Sequence, residues 1–178
     1  MKSIKISRLA LCASALVALI FSPATSHARK PSPTPPPPTI SASGNWSDCN
    51  VVTDTHPVGP NSFLTVSITE TLTGTLSGSF IGTEYDFVHP DGSAVFYGSG
   101  VFTGSVAGKT GTFRMNYVGT TSANDTFTAH WVIHDGTGDL SNLFGDGTFE
   151  GAASSPTTVC AIPFAGTYKG QLWFAGRR

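Results

Sequence analysis

The stretch TLSGSFIGTEYDFVHPDGSAVFYGSGVFTGS, residues 75–105, decides the fold. At its centre, His89-Pro90-Asp91-Gly92 is a strong hairpin signal. Proline presets the φ of a turn, aspartate bonds its own backbone two residues on, and glycine accepts a positive φ. On either side, apolar and aromatic residues alternate with small polar ones, which predicts strands over 75–88 and 93–105. Glycines lie inside these strands at positions 78, 82, 98, 100 and 104. Glycines so placed suit a sheet that coils and bulges until it closes on itself.

Outward from this hairpin the same pattern repeats. Leu64, Val66, Ile68 and Leu72 recur at spacing two, broken by Glu70. Phe113, Met115 and Tyr117 do the same, as do Phe127, Ala129, Trp131 and Ile133. Thr73-Gly74, Ala107-Gly108-Lys109 and Ser122-Ala123-Asn124-Asp125 separate the runs. The pattern predicts strands at 41–48, 62–72, 75–88, 93–105, 111–119, 126–134, 146–152 and 166–174, with one helical turn at 140–144. Strands joined mostly by short hairpins read as an all-β fold, a closed eight-stranded antiparallel up-and-down barrel, because closure removes the exposed edges. A two-sheet sandwich is the alternative. A barrel of this size has room for packed side chains or one small ligand.

The N-terminus reads as a secretory signal over residues 1–28. Lys2, Lys5 and Arg8 precede an apolar run from Leu9 to Phe21, and Ser26-His27-Ala28 offers small residues for cleavage near Ala28. The apolar run is too short to span a bilayer comfortably, so no membrane span is expected in the mature chain. Residues 29–39, with PSPTPPPP at 31–38, form a stiff polyproline II spacer, and the barrel domain takes 40–178. The expected location is therefore secreted or periplasmic. Cleavage removes Cys12 and leaves Cys49 and Cys160, which in an exported chain read as one disulfide bond.

The formal charge of −1 misleads. Most basic residues lie in the signal or at the ends of the mature chain. The domain body keeps Lys109, Arg114 and Lys169 against all 11 acids. Without a basic stripe, nucleic acid is excluded as a partner.

Several segments taken in order carry a family resemblance. They are Thr69 to Gly74 (TETLTG), Gly82-Thr83-Glu84-Tyr85, Pro90 to Ala94 (PDGSA), Phe102-Thr103-Gly104 and Gly108 to Phe113 (GKTGTF). Trp131 with Gly136 to Leu140 (GTGDL), Gly145 to Phe149 (GDGTF) and Tyr168-Lys169-Gly170 complete the set. Over Ser43 to Phe174 the chain resembles the allene oxide cyclase-like barrel superfamily, and within it a bacterial family of small barrels of largely unassigned function. The resemblance implies a barrel with a largely apolar interior and no shared cofactor. Some members of that superfamily bind or cyclise lipid-like or polyketide-like molecules, and dirigent proteins steer phenoxy radical coupling. The cyclase's catalytic motif is not recognisable here, and Gly100 stands where related bacterial barrels often carry an acid.

Among single residues, Glu84 is the catalytic candidate, since a carboxyl facing a dry cavity has a raised pKa and can act as acid or base. Its facing hinges on the turn at Thr73-Gly74. A two-residue loop puts Glu84 and Leu64 on opposite faces, and a three-residue loop puts them on one. Glu70 reads as a ligand-binding acid at the barrel mouth, or else as a buried acid. Tyr97, Arg114, Asn116, Tyr117 and Trp131 are further candidates for lining a ligand site. An outward Arg114 and purely structural aromatic residues are the competing readings.

No metal site is expected. His130 and His134, four apart on a strand, are separated by about 13 Å and cannot share an ion. The acidic run Asp135, Asp139, Asp146 and Glu150 departs from calcium-loop spacing, with Leu140 where the glycine belongs. No Gly-x-Ser-x-Gly is present, which disfavours a covalent hydrolase.

These observations order three functions. The first is a secreted barrel binding a small hydrophobic molecule, the second a cofactor-free cyclase or isomerase, and the third a packed structural exoprotein. An interior acid beside a sizeable cavity favours the enzyme, a cavity without titratable groups favours binding, and a solid interior leaves the structural protein. Assembly into a homo-oligomer stays open.

Overall fold

The computed structural model describes residues 38–176. The signal segment and nearly all of the spacer lie outside the described residues. Eight strands follow one another: β1 (Thr39–Val58), β2 (Asn61–Gly74), β3 (Leu76–Val88), β4 (Ala94–Val106), β5 (Lys109–Thr121), β6 (Thr126–His134), β7 (Leu143–Ala153) and β8 (Ile162–Phe174). Each pairs antiparallel with its neighbour in sequence, and β1 with β8 closes the barrel. The inward faces are the period-two runs of the sequence, with Phe113, Met115, Ala129, Trp131 and Ile133 all buried.

The register between β2 and β3 answers the question left by Thr73-Gly74. Leu72 pairs with Gly78, and Val66 with Glu84. The connection is therefore centred on Thr75, an odd count, and Leu64, Glu84 and Phe80 share the inner face.

Two elements depart from expectation. β1 does not stop at 48. It runs through Val58, with a bulge between Val52 and Asp54, before turning into β2 at Gly59, whose φ is +61°. Beyond Asn50 it pairs with β2 alone. A strand free on one side tolerates Pro57, whose missing N–H interrupts no ladder there. The helical turn also lies earlier than 140–144, as a 3₁₀ turn at Gly138–Leu140, and Leu143 and Phe144 belong to β7. The Thr137 N–H donates to the Thr112 carbonyl at 2.8 Å, which pins this turn under β5 and drives Leu140 into the barrel floor.

That floor is solid. Leu76, Phe80, Phe102, Phe113, Leu140 and Leu172 are fully buried, and the Phe102 and Phe113 rings stack with centroids 4.5 Å apart. The Tyr168 hydroxyl accepts from the Leu76 N–H at 2.7 Å and donates to the Thr73 carbonyl at 3.1 Å, tying β8 to the β2–β3 connection.

Near the opposite, open end, Cys49 on β1 is bonded to Cys160 in the β7–β8 connection, with Cα atoms 5.6 Å apart and a sequence separation of 111. A cross-link over so long a loop removes much of the unfolded chain's freedom. Replacing both residues, Cys49→Ala with Cys160→Ala, should lower unfolding free energy by about 2–4 kcal/mol. Paired urea titrations of the oxidised parent and the variant measure this, and coincident midpoints would show that the bond adds nothing. Among the described residues no helix is long and apolar enough to cross a membrane.

Candidate functional site

Between the packed floor and the open mouth lies a cavity of about 280 Å³. Its walls are mostly apolar, with Trp46, Val66, Ile68, Phe96, Phe127 and Phe149 among them. The aromatic residues form a continuous set. Phe127 lies 5.1 Å from Trp46, 5.9 Å from Phe96 and 5.8 Å from Phe164, centroid to centroid.

Into this apolar surface the sequence places carboxyls from three consecutive strands: Asp48 on β1, Glu70 on β2, and Glu84 and Asp86 on β3. Period-two alternation makes this unavoidable once the register is set. Asp48 is in phase with Trp46, Glu70 with Ile68 and Leu72, and Asp86 with Glu84. Cross-strand pairing then puts Asp48 directly opposite Glu70, and Asp86 opposite Leu64. Like charges directly opposite on one face destabilise a sheet, so this cluster favours holding protons.

The ionisation of each acid follows from its surroundings. Glu70 is 6% exposed, and its Oε1 has no hydrogen-bond partner among the described residues. Burial, with Asp48 and Glu84 nearby, holds its carboxyl well above the usual range. Burial pushes Asp48 up to about 7, against the opposing pull of the Phe164 N–H, which donates to Asp48 Oδ1 at 2.9 Å. Burial also raises Glu84 and Asp86, and the neighbouring Asp86 charge raises Glu84 further. Both acids are thereby pushed toward the protonated form.

Tyr117 joins the pair from two strands away. Glu84 pairs with Gly98 on β4, and Gly98 with Tyr117 on β5. A Cβ at position 98 would overlap the Tyr117 ring and hydroxyl. Glycine there lets the phenol lie across β4 toward the Glu84 carboxyl, where its influence lowers the Glu84 pKa against the larger pull of burial. The phenol's own pKa is raised well above its ordinary value by burial and by Glu84. It stays a neutral donor.

The structure thus brings Glu70, Glu84 and Tyr117 to one cavity, and corrects the other expectations. Glu70 is not at the mouth but buried deep in the wall. Tyr97 points outward, is 55% exposed and stacks on Tyr85 at 5.1 Å. Arg114 and Asn116 lie on the outer face, because they alternate with the inward Phe113, Met115 and Tyr117; Asn116 Nδ2 meets His134 Nε2 at 3.0 Å. None of these three lines the interior. Trp131 is interior but fully buried outside the cavity lining. Asp48 and Asp86 were missed, although Asp86 stands two residues from Glu84. Among the described residues, no group of three or more His, Cys, Asp or Glu is arranged to hold a metal ion.

A solved structure of a protein with unknown function from the DUF3224 family of Shewanella oneidensis has the same fold. It superposes with a TM-score of 0.60 at 19% identity, covering 79% of this chain and 100% of that one. A search of curated proteins finds no match. The family model for DUF3224, described as a protein of unknown function, matches residues 47–160, which hold every cavity acid from Asp48 to Asp86 together with Tyr117. The chain belongs to the DUF3224 family.

Proposed function

We propose that this is an exported binding barrel that holds one small, mostly apolar molecule in its interior. The observation that carries this reading is the 280 Å³ cavity, walled by aromatic and aliphatic side chains and furnished with the orphaned acceptor of Glu70. Apolar walls with a few converging polar groups are what small-ligand sites share, and this volume suits a compact ligand. The basic N-terminal segment, its apolar run and the Cys49–Cys160 bond support export.

A specific observation also favours a second reading, a cofactor-free isomerase or cyclase. Glu84, Asp86 and Tyr117 all line the cavity, with burial raising both acids, an arrangement suited to moving a proton on a bound substrate. The sequence segments resembling the allene oxide cyclase-like superfamily support it as well. Interior acids beside a cavity are what an enzyme of this kind requires, but binding comes first because holding a ligand requires only the cavity, whereas turnover requires in addition that a substrate atom reach the acid pair.

Native mass spectrometry of the mature protein, purified from its own producer or incubated with that culture's extract, tests both. The expected result is a protein mass beginning at Arg29 with a small molecule of defined mass retained. A retained compound whose mass changes on incubation, with the change lost in Glu84→Gln, would establish the enzyme. An apo mass under gentle conditions across several extracts would overturn both readings and leave a structural exoprotein.

A further inference from the structure

The ionisable groups of the cavity are nearly all acids, able to become negative and never positive. Carboxyls enter it from β1 (Asp48), β2 (Glu70) and β3 (Glu84, Asp86), and Asp125 in the β5–β6 turn stands at its rim. Tyr117 on β5 is the other titratable group facing them. No lysine, arginine or histidine is among the residues lining it. An anionic ligand would find no cationic partner there. A neutral apolar ligand would cover the acids without bonding them and deepen their desolvation.

The orphaned atoms agree with the charge. Besides Glu70 Oε1, Asp86 Oδ1 and Asn50 Oδ1 are buried without a partner among the described residues, and all three side chains line the cavity. Asn50 Oδ1 is an acceptor, and the two carboxyl oxygens are acceptors once their acids ionise, so the complement that satisfies the ionised site is a donor-rich group. An ammonium offers three donors and no acceptor. The carboxyls do not converge as metal ligands do. A bare ion therefore fits poorly, whereas a charged head on an organic body would also use the faces of Trp46, Phe127 and Tyr117.

We infer that the cavity takes an organic cation, an amine with a compact aromatic or aliphatic body, its ammonium among Asp48, Glu70, Glu84 and Asp86 and its body against the aromatic wall. The inference rests on the binding reading above and adds the chemical class of the ligand. It has a consequence of its own. Carboxyls that hold protons in the free protein must release them as the cation enters, so binding expels protons and strengthens as pH rises from 6 to 8.

The test uses the mature protein and two matched probe sets, 2-phenylethylamine, 2-phenylethanol and 3-phenylpropanoate, then tryptamine, tryptophol and indole-3-propionate. Calorimetry in buffers of different ionisation enthalpy reads affinity and proton release, and NMR of the interior aromatic residues locates binding. The amine of at least one set should bind about tenfold or more tighter than its alcohol, with protons released, and the carboxylate should bind weakest. Glu70→Gln should weaken the amine about tenfold and the alcohol far less. Asp86→Asn should act in the same direction and serves as the second variant should the first misfold. Alcohols binding as well as amines, or amines binding without proton release, would overturn the cationic class while leaving the binding barrel standing. No interior perturbation by any of the six compounds would overturn the inference and the binding reading together.

Discussion

Urea unfolding at a series of pH values should find the protein most stable near pH 5 and progressively weaker toward pH 8, the reverse of ordinary acid denaturation. The sign follows from which state holds more protons. In the unfolded chain the carboxyls titrate near pH 4, whereas in the fold burial pushes Asp48 up to about 7 and raises Glu70, Glu84 and Asp86. Between those limits the folded state binds more protons than the unfolded one, so stability falls as pH rises, and it levels off once the folded acids have ionised. Each unit of pKa difference corresponds to about 1.4 kcal/mol, so the combined loss should reach about 3 kcal/mol or more, a large part of a typical domain's stability. Asp91 acts in the opposite sense, held low by Ser93, but it is an exposed turn residue whose window lies below pH 4. Glu70→Gln, which keeps the shape and removes a buried acid, should flatten the profile and stabilise the protein at pH 8. A flat or rising stability from pH 5 to pH 8 would show that these carboxyls ionise freely in the fold, and the cavity would then be a wetter place than its lining implies.

The barrel was legible in the sequence because its signals are local and repeated. His89-Pro90-Asp91-Gly92 turns β3 into β4, and the period-two runs mark the inner face. The same periodicity already contained the positions of Arg114 and Asn116, since residues alternating with Phe113, Met115 and Tyr117 must face outward. The facing of Glu84 was not legible, because it depends on whether the β2–β3 connection has an odd or even count, a choice that flips a whole strand. Glu70 was misplaced for a related reason. Asp48 is its cross-strand partner, so a first strand ending at 48 would leave Glu70 at the rim. The strand instead continues through Val58 and raises the wall above it. Its polar run past Asp54 resembles a loop, and only pairing with β2 makes it a strand. Asp48 and Asp86 went unseen as site residues because a polar residue near a strand end ordinarily meets solvent.

Trp131→Ala should cost about 3–5 kcal/mol of unfolding free energy, the largest effect of any single substitution proposed for this protein. The indole is fully buried, and its ring occupies space that two glycines leave open: a Cβ at Gly147 or at Gly170 would overlap it. Backbone cannot collapse into the volume that truncation vacates, because β7 and β8 pair with each other at these two positions. The cavity contribution to the loss is therefore retained rather than relaxed away. The buried Nε1 has no partner among the described residues, so deletion forfeits no hydrogen bond and the loss is one of packing and burial. Trp131→Phe, which keeps an aromatic ring in the same slot, should recover most of it. Because Trp131 lies outside the cavity lining, affinity for an interior ligand, corrected for the folded fraction, should be nearly unchanged in Trp131→Phe. A loss below about 1 kcal/mol in Trp131→Ala would mean that the strands do close over the gap. A large fall in affinity in Trp131→Phe would mean instead that the indole reaches the bound molecule, which would extend the site down into the floor.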